Sequence, residues 1–425
     1  MIKRVLLSLL CLLQFGAMAQ KKTFEFDFAP SDFTAQEEGL IAKEMQWPSE
    51  IEYGFLGVSG YSLDLQEITL EIRFLKEGAW QEWQTMGSGH NSEESARQTF
   101  VLDPIEDEIS AWQIRLNRKP LSSIQVRFFA APPEKKNLGI NVNSSETSTC
   151  ACPAPPQCNR SCWCPAGDCT PPTYSTTTPT HLIVHHSAGF TNYNDYQWVV
   201  NYYWDLHVNT NGWSDIGYNW LIDPNGIVYE GRGSGNLGAH FSCLNGGTIG
   251  ICVIGNYMSN TVDTNALASL KELALWEACQ YNIAIADSSL HSTSNLVLNH
   301  LSGHRDANGA AVGCPKGTVC PGDLLFAIID SLALDMSTSA CFLAEKEFKQ
   351  AGFSLFPNPT ENELKISAAS YPWDIKIINM KGQEVATFQS SESEKSLNLN
   401  YLKPGIYQVI FSSPAGKSYQ KLQIK

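Results

Sequence analysis

The spacing of apolar residues changes twice along the chain, and each change marks a new kind of structure. Between residue 21 and about residue 136, Ile68, Leu70, Ile72 and Phe74 alternate with Thr69, Glu71 and Arg73, and Ile124, Val126 and Phe128 alternate with Gln125 and Arg127. A period of two buries one face of each segment and wets the other, which predicts paired strands and a β-sandwich-like module. From residue 180 to about 334, strand-like and helix-like stretches take turns, the mark of an α/β domain with a central mixed sheet flanked by helices. Strands are expected at 181–187, 248–257 and 296–301, and helices at 196–209, from a cap at Asp263 or Thr264 to about 280, and at 323–334. A hairpin is expected over 219–229, its Asp223-Pro224-Asn225-Gly226 turn relying on Asn-Gly for positive φ. Beyond a linker at 335–352, residues 353–425 return to short alternating strands such as Ile375-Lys376-Ile377, interrupted by turns at Met380-Lys381-Gly382-Gln383 and Lys403-Pro404-Gly405. A second small β-sandwich is predicted there.

Composition narrows the classes of function. A chain of 425 residues with 43% hydrophobic positions holds several cores and is not a disordered tail. Its net charge of −14, with no basic run, argues against nucleic acid or an anionic membrane face as partner. Lys3 and Arg4, an apolar stretch over 5–15 and Ala17-Met18-Ala19 read as a signal peptide, residues 1–19, cut after Ala19. The apolar stretch is about half the ~20 residues that a bilayer span needs, so no transmembrane segment is expected in the mature chain.

Export changes how the 13 cysteines are read. Cys11 departs with the signal, and six of the remainder crowd between Cys150 and Cys169 in a Cys/Pro/Thr-rich segment, 137–179, read as a linker and the start of the α/β domain. Such spacing fits a zinc knuckle or a disulfide-stapled loop, and an oxidising compartment makes disulfides the default. In the first module, Trp80, Trp83 and Trp112 are either core and edge aromatics or a carbohydrate-binding face.

Three donors fall on or just after strands of the α/β domain: His185, His304 and Cys320. Two imidazoles and a thiolate leave one tetrahedral position open, the arrangement of a catalytic rather than a structural zinc site. Any one of these residues alone reads as a packed or surface side chain; only the set points to a metal.

Around them stand further motifs: Arg160-Ser161-Cys162-Trp163, His185-His186-Ser187-Ala188-Gly189, Gly217-Tyr218-Asn219, Val228-Tyr229-Glu230-Gly231-Arg232-Gly233, Gly238-Ala239-His240, Ile249-Gly250-Ile251, Gly303-His304-Arg305-Asp306 and Cys320-Pro321-Gly322-Asp323. In this order they resemble the peptidoglycan recognition proteins and zinc N-acetylmuramoyl-L-alanine amidases over about residues 158–334. The resemblance implies His185, His304 and Cys320 as Zn2+ ligands, Tyr218 and Thr318 as catalytic residues, and Arg232, His240 and His186 as substrate-binding residues. It implies hydrolysis of the amide between N-acetylmuramic acid and L-alanine in peptidoglycan, zinc polarising the carbonyl while Tyr218 steadies the developing charge. Arg232 either pairs with a stem-peptide carboxylate or supports its own loop.

One departure stands out: 15 residues separate His304 from Cys320, and they contain a second Cys-Pro pair at Cys314. Either cysteine reaches the metal in principle. The resemblance favours Cys320, leaving Cys314 to bridge Cys243 or Cys252 and one cysteine odd. Members of the family that only bind peptidoglycan typically lack the ligand cysteine, and that non-catalytic recognition protein is the alternative reading. A third reading makes the chain an adhesin dominated by its first module.

At the other end, Phe356-Pro357-Asn358-Pro359, Gly382-Gln383, Leu402-Lys403-Pro404-Gly405-Ile406-Tyr407 and the final Lys-Leu-Gln-Ile-Lys resemble the sorting domain of type IX secretion cargo. This implies the outer-membrane type IX machinery as a partner and a secreted or surface-attached protein that passes through periplasm and outer membrane.

Overall fold

The period-two segments of the first module become two sheets with one apolar layer between them. A computed structural model describes residues 21–64, 67–88, 97–105, 107–133, 152–189, 195–310, 317–339, 341, 353–368, 371–379, 383–413 and 416–425. One sheet orders the strands Lys22–Phe28, Ile124–Ala131, Phe55–Ser62, Gln98–Ile105 and Gly87–Ser88; the other is built around Ala111–Leu116 and Leu70–Lys76. Leu56, Val58, Leu70, Ile72, Phe74, Ile114, Val126 and Phe128 fill the space between, so the alternating residues are the ones that face inward. Trp112 belongs to this core, packed on Phe26, Phe28 and Phe128. Trp80 and Trp83 lie outside it, with the Arg73 guanidinium 4.8 and 4.4 Å from their ring centres and that of Arg115 4.7 Å from Trp83. Cations over ring faces stabilise the sheet's outer surface.

The middle domain contains a six-stranded mixed sheet in the order Gln157–Cys158, Val228–Glu230, Trp220–Ile222, Thr248–Val253, His181–His186 and Leu301–Gly303. All neighbours are parallel except the Trp220–Ile222/Val228–Glu230 hairpin. Within the hairpin turn only Gly226 takes a positive φ, 86°. The central strands are buried throughout, as expected where both faces of a sheet are covered. On one face Leu182, Val184, Ile249 and Ile251 pack beneath the helices Thr264–Gln280 and Ile329–Ser337. Against the other, Leu221, Cys252 and Ile254 meet the helix Tyr196–Asp205.

Several expected elements differ in detail: the strand expected at 248–257 ends at Val253. Residues 296–301 split into Leu296–Asn299, which pairs with Ser288–His291 in a separate hairpin, and Leu301–Gly303, which joins the main sheet. Helix 196–209 becomes α-helix only to Asp205 and continues as a π-helical turn, Leu206–Thr210. Helix 323–334 breaks into Asp323–Phe326 and Ile329–Ser337. The cysteine-rich segment is stapled by Cys158–Cys162, Cys164–Cys169 and Cys152–Cys341. These bridges settle its alternatives in favour of disulfides, while Cys150 lies outside the described residues. From residue 152 on, the segment also contributes the edge strand Gln157–Cys158 and the buried Trp163 to the middle domain's fold.

The C-terminal region pairs a three-stranded and a four-stranded sheet around Leu364, Ile366, Trp373, Ile375, Val409 and Phe411. The expected turn at 380–382 and the signal segment lie outside the described residues, and among the described residues no helix is long and apolar enough to cross a membrane.

The ligand strand starts in a cluster of imidazoles. The His181 ring is buried, with its centre 5.3 Å from the centres of both His291 and His300. Burial first, then these two neighbours, lower its pKa to about 4. Because the folded state holds this histidine neutral while the unfolded chain protonates it near pH 6.5, the unfolded state binds more protons between about pH 6.5 and pH 4, and stability falls as the pH drops through that window. Urea midpoints taken from pH 7 to pH 4.5 should decline accordingly, and His181→Gln should remove up to roughly 3 kcal/mol of that decline.

Candidate metal centre and its surroundings

The parallel strands bring the three expected donors together. Alternation along His181–His186 sends Leu182 and Val184 to the helix-covered face and His185 to the opposite one, while His304 opens the helical turn His304–Ala307 after Leu301–Gly303. The ligand atoms of His185, His304 and Cys320 all lie within 4.8 Å of one another. Cys320 Sγ is 3.6 Å from His185 Nδ1, and the rings of His185 and His304 are centred 4.6 Å apart. Two nitrogen donors and one sulfur match the preferences of zinc, whose catalytic sites have three protein ligands and a fourth position for water. Burial pushes the Cys320 thiol up to about 12, opposed by the His186 N–H that donates to its sulfur at 3.4 Å. Without a cation beside it the thiol keeps its proton; a bound divalent ion would displace it.

Cys320 is held by its flanks. Its N–H donates to Thr318 Oγ1 at 3.1 Å, and the Thr318 backbone is clamped by Asn308, which accepts its N–H and donates to its C=O at 2.9 Å each. Arg305 closes the loop: its N–H donates to the Cys320 carbonyl at 2.9 Å, its guanidinium reaches the Val319 carbonyl, and it pairs with Asp323 at 2.7 Å. The loop thus ends in a fixed geometry at Cys320. The competing Cys314 lies outside the described residues. Cys243 is disulfide-bonded, whereas Cys252 is a buried free thiol, which corrects the expectation that Cys252 is a bridge candidate.

His185 has a second partner. Its Nε2 lies 2.9 Å from His240 Nδ1, and His240 Nε2 is 3.3 Å from Thr248 Oγ1, which donates to the Asn245 carbonyl at 2.8 Å. Burial, with His304 and Arg232 adding to it, holds His240 well below the usual histidine range. It is therefore neutral, accepting from His185 and donating to Thr248. The arrangement leaves Nδ1 of His185 as the metal-facing atom. Glycines make the space: a Cβ at Gly250 would meet His240 Cγ at 2.3 Å, and one at Gly238 would meet His240 Cδ2 at 2.3 Å. Asn245 Oδ1 accepts the N–H groups of both His240 and Phe241.

Tyr218 is buried, its ring centre 5.4 Å from that of His185. Burial, then Cys252 and Cys320, raise its pKa well above the usual tyrosine range, and its phenol shares a hydrogen bond with the Cys252 side chain. Asn219 anchors this wall, its Oδ1 accepting the Gly250 N–H and its Nδ2 donating to the carbonyls of Gly233 and Asn236. Thr318 is only partly covered, next to Cys320.

The three residues expected to meet substrate all face inward. His240 serves His185 as described. Arg232 donates to the carbonyls of Ile216 and Leu237 at 2.8 and 2.9 Å, which fits support of its own loop. Alternation turns the buried His186 away from His185, and its Nδ1 accepts the Tyr257 N–H at 3.3 Å. Sequence reasoning also missed the parts played by Asn245, Asn308 and Cys252. Cys252 is the register partner of His185 on the adjacent strand, a pairing that the fold alone reveals.

A family model described as N-acetylmuramoyl-L-alanine amidase matches residues 175–323, and one described as secretion system C-terminal sorting domain matches 354–425. Peptidoglycan-recognition protein SC1a of Drosophila melanogaster is 41% identical over 101 residues, 22% of this chain and 51% of its own length. Peptidoglycan recognition protein 1 of Bos taurus is 37% identical over 131 residues, 31% of this chain and 57% of its own. An N-acetylmuramoyl-L-alanine amidase of Sus scrofa is 32% identical over 121 residues, 28% of this chain and 17% of its own. The chain thus spans about half the length of the first two of these relatives. Among solved structures, wild-type Drosophila PGRP-LB aligns over 41% of this chain and 91% of its own, at 29% identity and a TM-score of 0.33. Residues 175–323 therefore belong to the N-acetylmuramoyl-L-alanine amidase family that includes the peptidoglycan recognition proteins, and residues 354–425 are a secretion-system C-terminal sorting domain.

Proposed function

We propose that the protein is an exported zinc-dependent N-acetylmuramoyl-L-alanine amidase that cuts the bond between N-acetylmuramic acid and L-alanine in peptidoglycan. The observation that carries this reading is the convergence of His185, His304 and Cys320 within 4.8 Å, with Tyr218 against His185. When bound, zinc would supply Lewis-acid polarisation of the scissile carbonyl and activation of a water. The residues of the chain do the rest. Tyr218, kept protonated by burial, donates its O–H to the oxygen on which charge builds. Thr318 accepts the Cys320 N–H, fixing the backbone that carries the sulfur, and keeps its hydroxyl proton to offer to substrate. His240 fixes the plane and tautomer of His185. The sorting domain would hand the chain to the type IX machinery of the outer membrane after passage through the periplasm, leaving it secreted or surface-attached.

Incubating the mature protein with purified peptidoglycan, with zinc quantified, should release free stem peptide. Binding without release, across substrates of differing stem peptide, would instead make it a recognition protein. Cys320→Ser should lose both zinc and release while Cys314→Ser keeps both; the reverse pattern would move the ligand to Cys314. Tyr218→Phe should retain zinc and lower kcat by about 10²–10³, the usual cost of one oxyanion donor. In chelator competition, His240→Ala should bind zinc about 10–100-fold more weakly.

A further inference from the structure

The two sides of the Ile124–Ala131 strand do not alternate as the sequence pattern predicts, because nearly every residue from Val126 onward is buried. The outward face of that sheet is covered by the middle domain. Phe55 and Phe129 stack and enclose Tyr202 of the helix Tyr196–Asp205, and Tyr202 lies so close over Gly57 that a Cβ there would come within 2.4 Å of its ring. Lys21 donates to Asn201 at 2.7 Å.

The polar contacts of this joint gather around one short element. Arg127 holds Asp205 in a two-pronged pair, Nε to Oδ2 and Nη2 to Oδ1 at 2.7 Å each, with the two side chains 8% and 2% exposed. Asp205 is the last residue before the π-helical turn Leu206–Thr210. At the other end of that turn, Ser59 Oγ lies 2.8 Å from Thr210 Oγ1, and Arg97 donates to the Thr210 carbonyl at 3.1 Å. The first module therefore grips both ends of the turn.

Between those grips sits His207. Its Nδ1 accepts the Gly217 N–H at 3.0 Å, its ring stacks on Trp213 with centres 4.5 Å apart, and its ring centre is 5.8 Å from that of Tyr218. Tyr218 in turn faces His185. An unbroken line of contacts joins the sandwich to the metal centre: Arg127 and Ser59, then the turn, then His207, then Gly217 and Tyr218. π-helical turns are costly and concentrate where geometry serves function.

We propose that the N-terminal sandwich is a positioning element for Tyr218, acting through the Leu206–Thr210 turn and His207, and not a separately tethered binding module. The inference rests on the amidase reading for the role of Tyr218, whereas the mechanical link from Arg127 to His207 stands on the joint alone. Removing the guanidinium leaves the Asp205 carboxylate buried without its charge partner, which loosens the turn. A small displacement of a group that acts on the reacting atoms lowers turnover more than binding.

The test uses the whole mature chain, carrying Arg127→Ala, Arg127→Lys, Ser59→Ala, or Ile72→Val as a control inside the sandwich core. Three readouts apply: amide hydrogen exchange over residues 206–218, kcat and KM for stem-peptide release, and zinc content. Arg127→Ala should speed exchange in that segment by about tenfold or more and lower kcat by about tenfold, with KM within about twofold and zinc retained. Arg127→Lys, which keeps the charge but loses the fork, should fall between. Ser59→Ala should move both in the same direction by less, and it serves if Arg127→Ala does not fold. Ile72→Val should change neither. Unchanged exchange and kcat in Ser59→Ala and in the Arg127 variants that fold would overturn the proposal, as would a change confined to KM, which belongs to a substrate-binding module. Faster exchange in a protein whose unaltered form releases no stem peptide would support the mechanical link while sinking the amidase reading.

Discussion

The site depends on one buried contact, the 2.9 Å hydrogen bond between the imidazoles of His185 and His240. It sets which nitrogen of His185 faces Cys320 and His304, and it works only because His240 lies in a slot that side chains would otherwise fill. Gly250, on the strand adjacent to His185, and Gly238, just before His240, are the two walls of that slot. Thr248 and Asn245 close the far end of the chain of hydrogen bonds. The donor cluster is thus a product of sheet register: shifting Thr248–Val253 by one residue would carry Gly250 to the other face and leave no place for the His240 ring.

That dependence explains which features were legible in the sequence. Ile68, Leu70, Ile72 and Phe74 announced a strand because each faces the same core, and burial follows their alternation. His185, His304 and Cys320 were found by donor type and by neighbouring motifs, which survive without knowledge of the fold. The role of His240 was not readable, since nothing in Gly238-Ala239-His240 says whether the ring points to solvent or into the sheet. Arg232 and His186 were equally unreadable in this respect, because nothing in their motifs shows that a buried carbonyl or backbone N–H is their partner within the fold. Trp112, Trp80 and Trp83 show the limit of composition: three tryptophans in one module are one core residue and two half-exposed rings beside arginines.

Long-range contacts were the least legible. The pairing of Arg127 with Asp205 spans 78 residues and crosses from one fold to another. The side of Ile124–Ala131 that alternation assigned to water is covered by a helix whose own apolar face gave no sign of its partner. The π-helical turn at Leu206–Thr210 has no sequence signature; it is visible only as the place where an ordinary helical pattern must meet two separate anchors.

Cys252 carries a consequence of a different kind. It is a reduced sulfur, wholly enclosed beneath Tyr218, and among the described residues it is, with Cys320, one of two cysteines outside the disulfides. In oxidising surroundings an accessible thiol is lost to exchange, and enclosure is what protects this one. Its survival therefore keeps time: each opening of the central sheet exposes the sulfur once, and the fraction still reduced after a given interval is a record of how often the wall around Tyr218 has come apart.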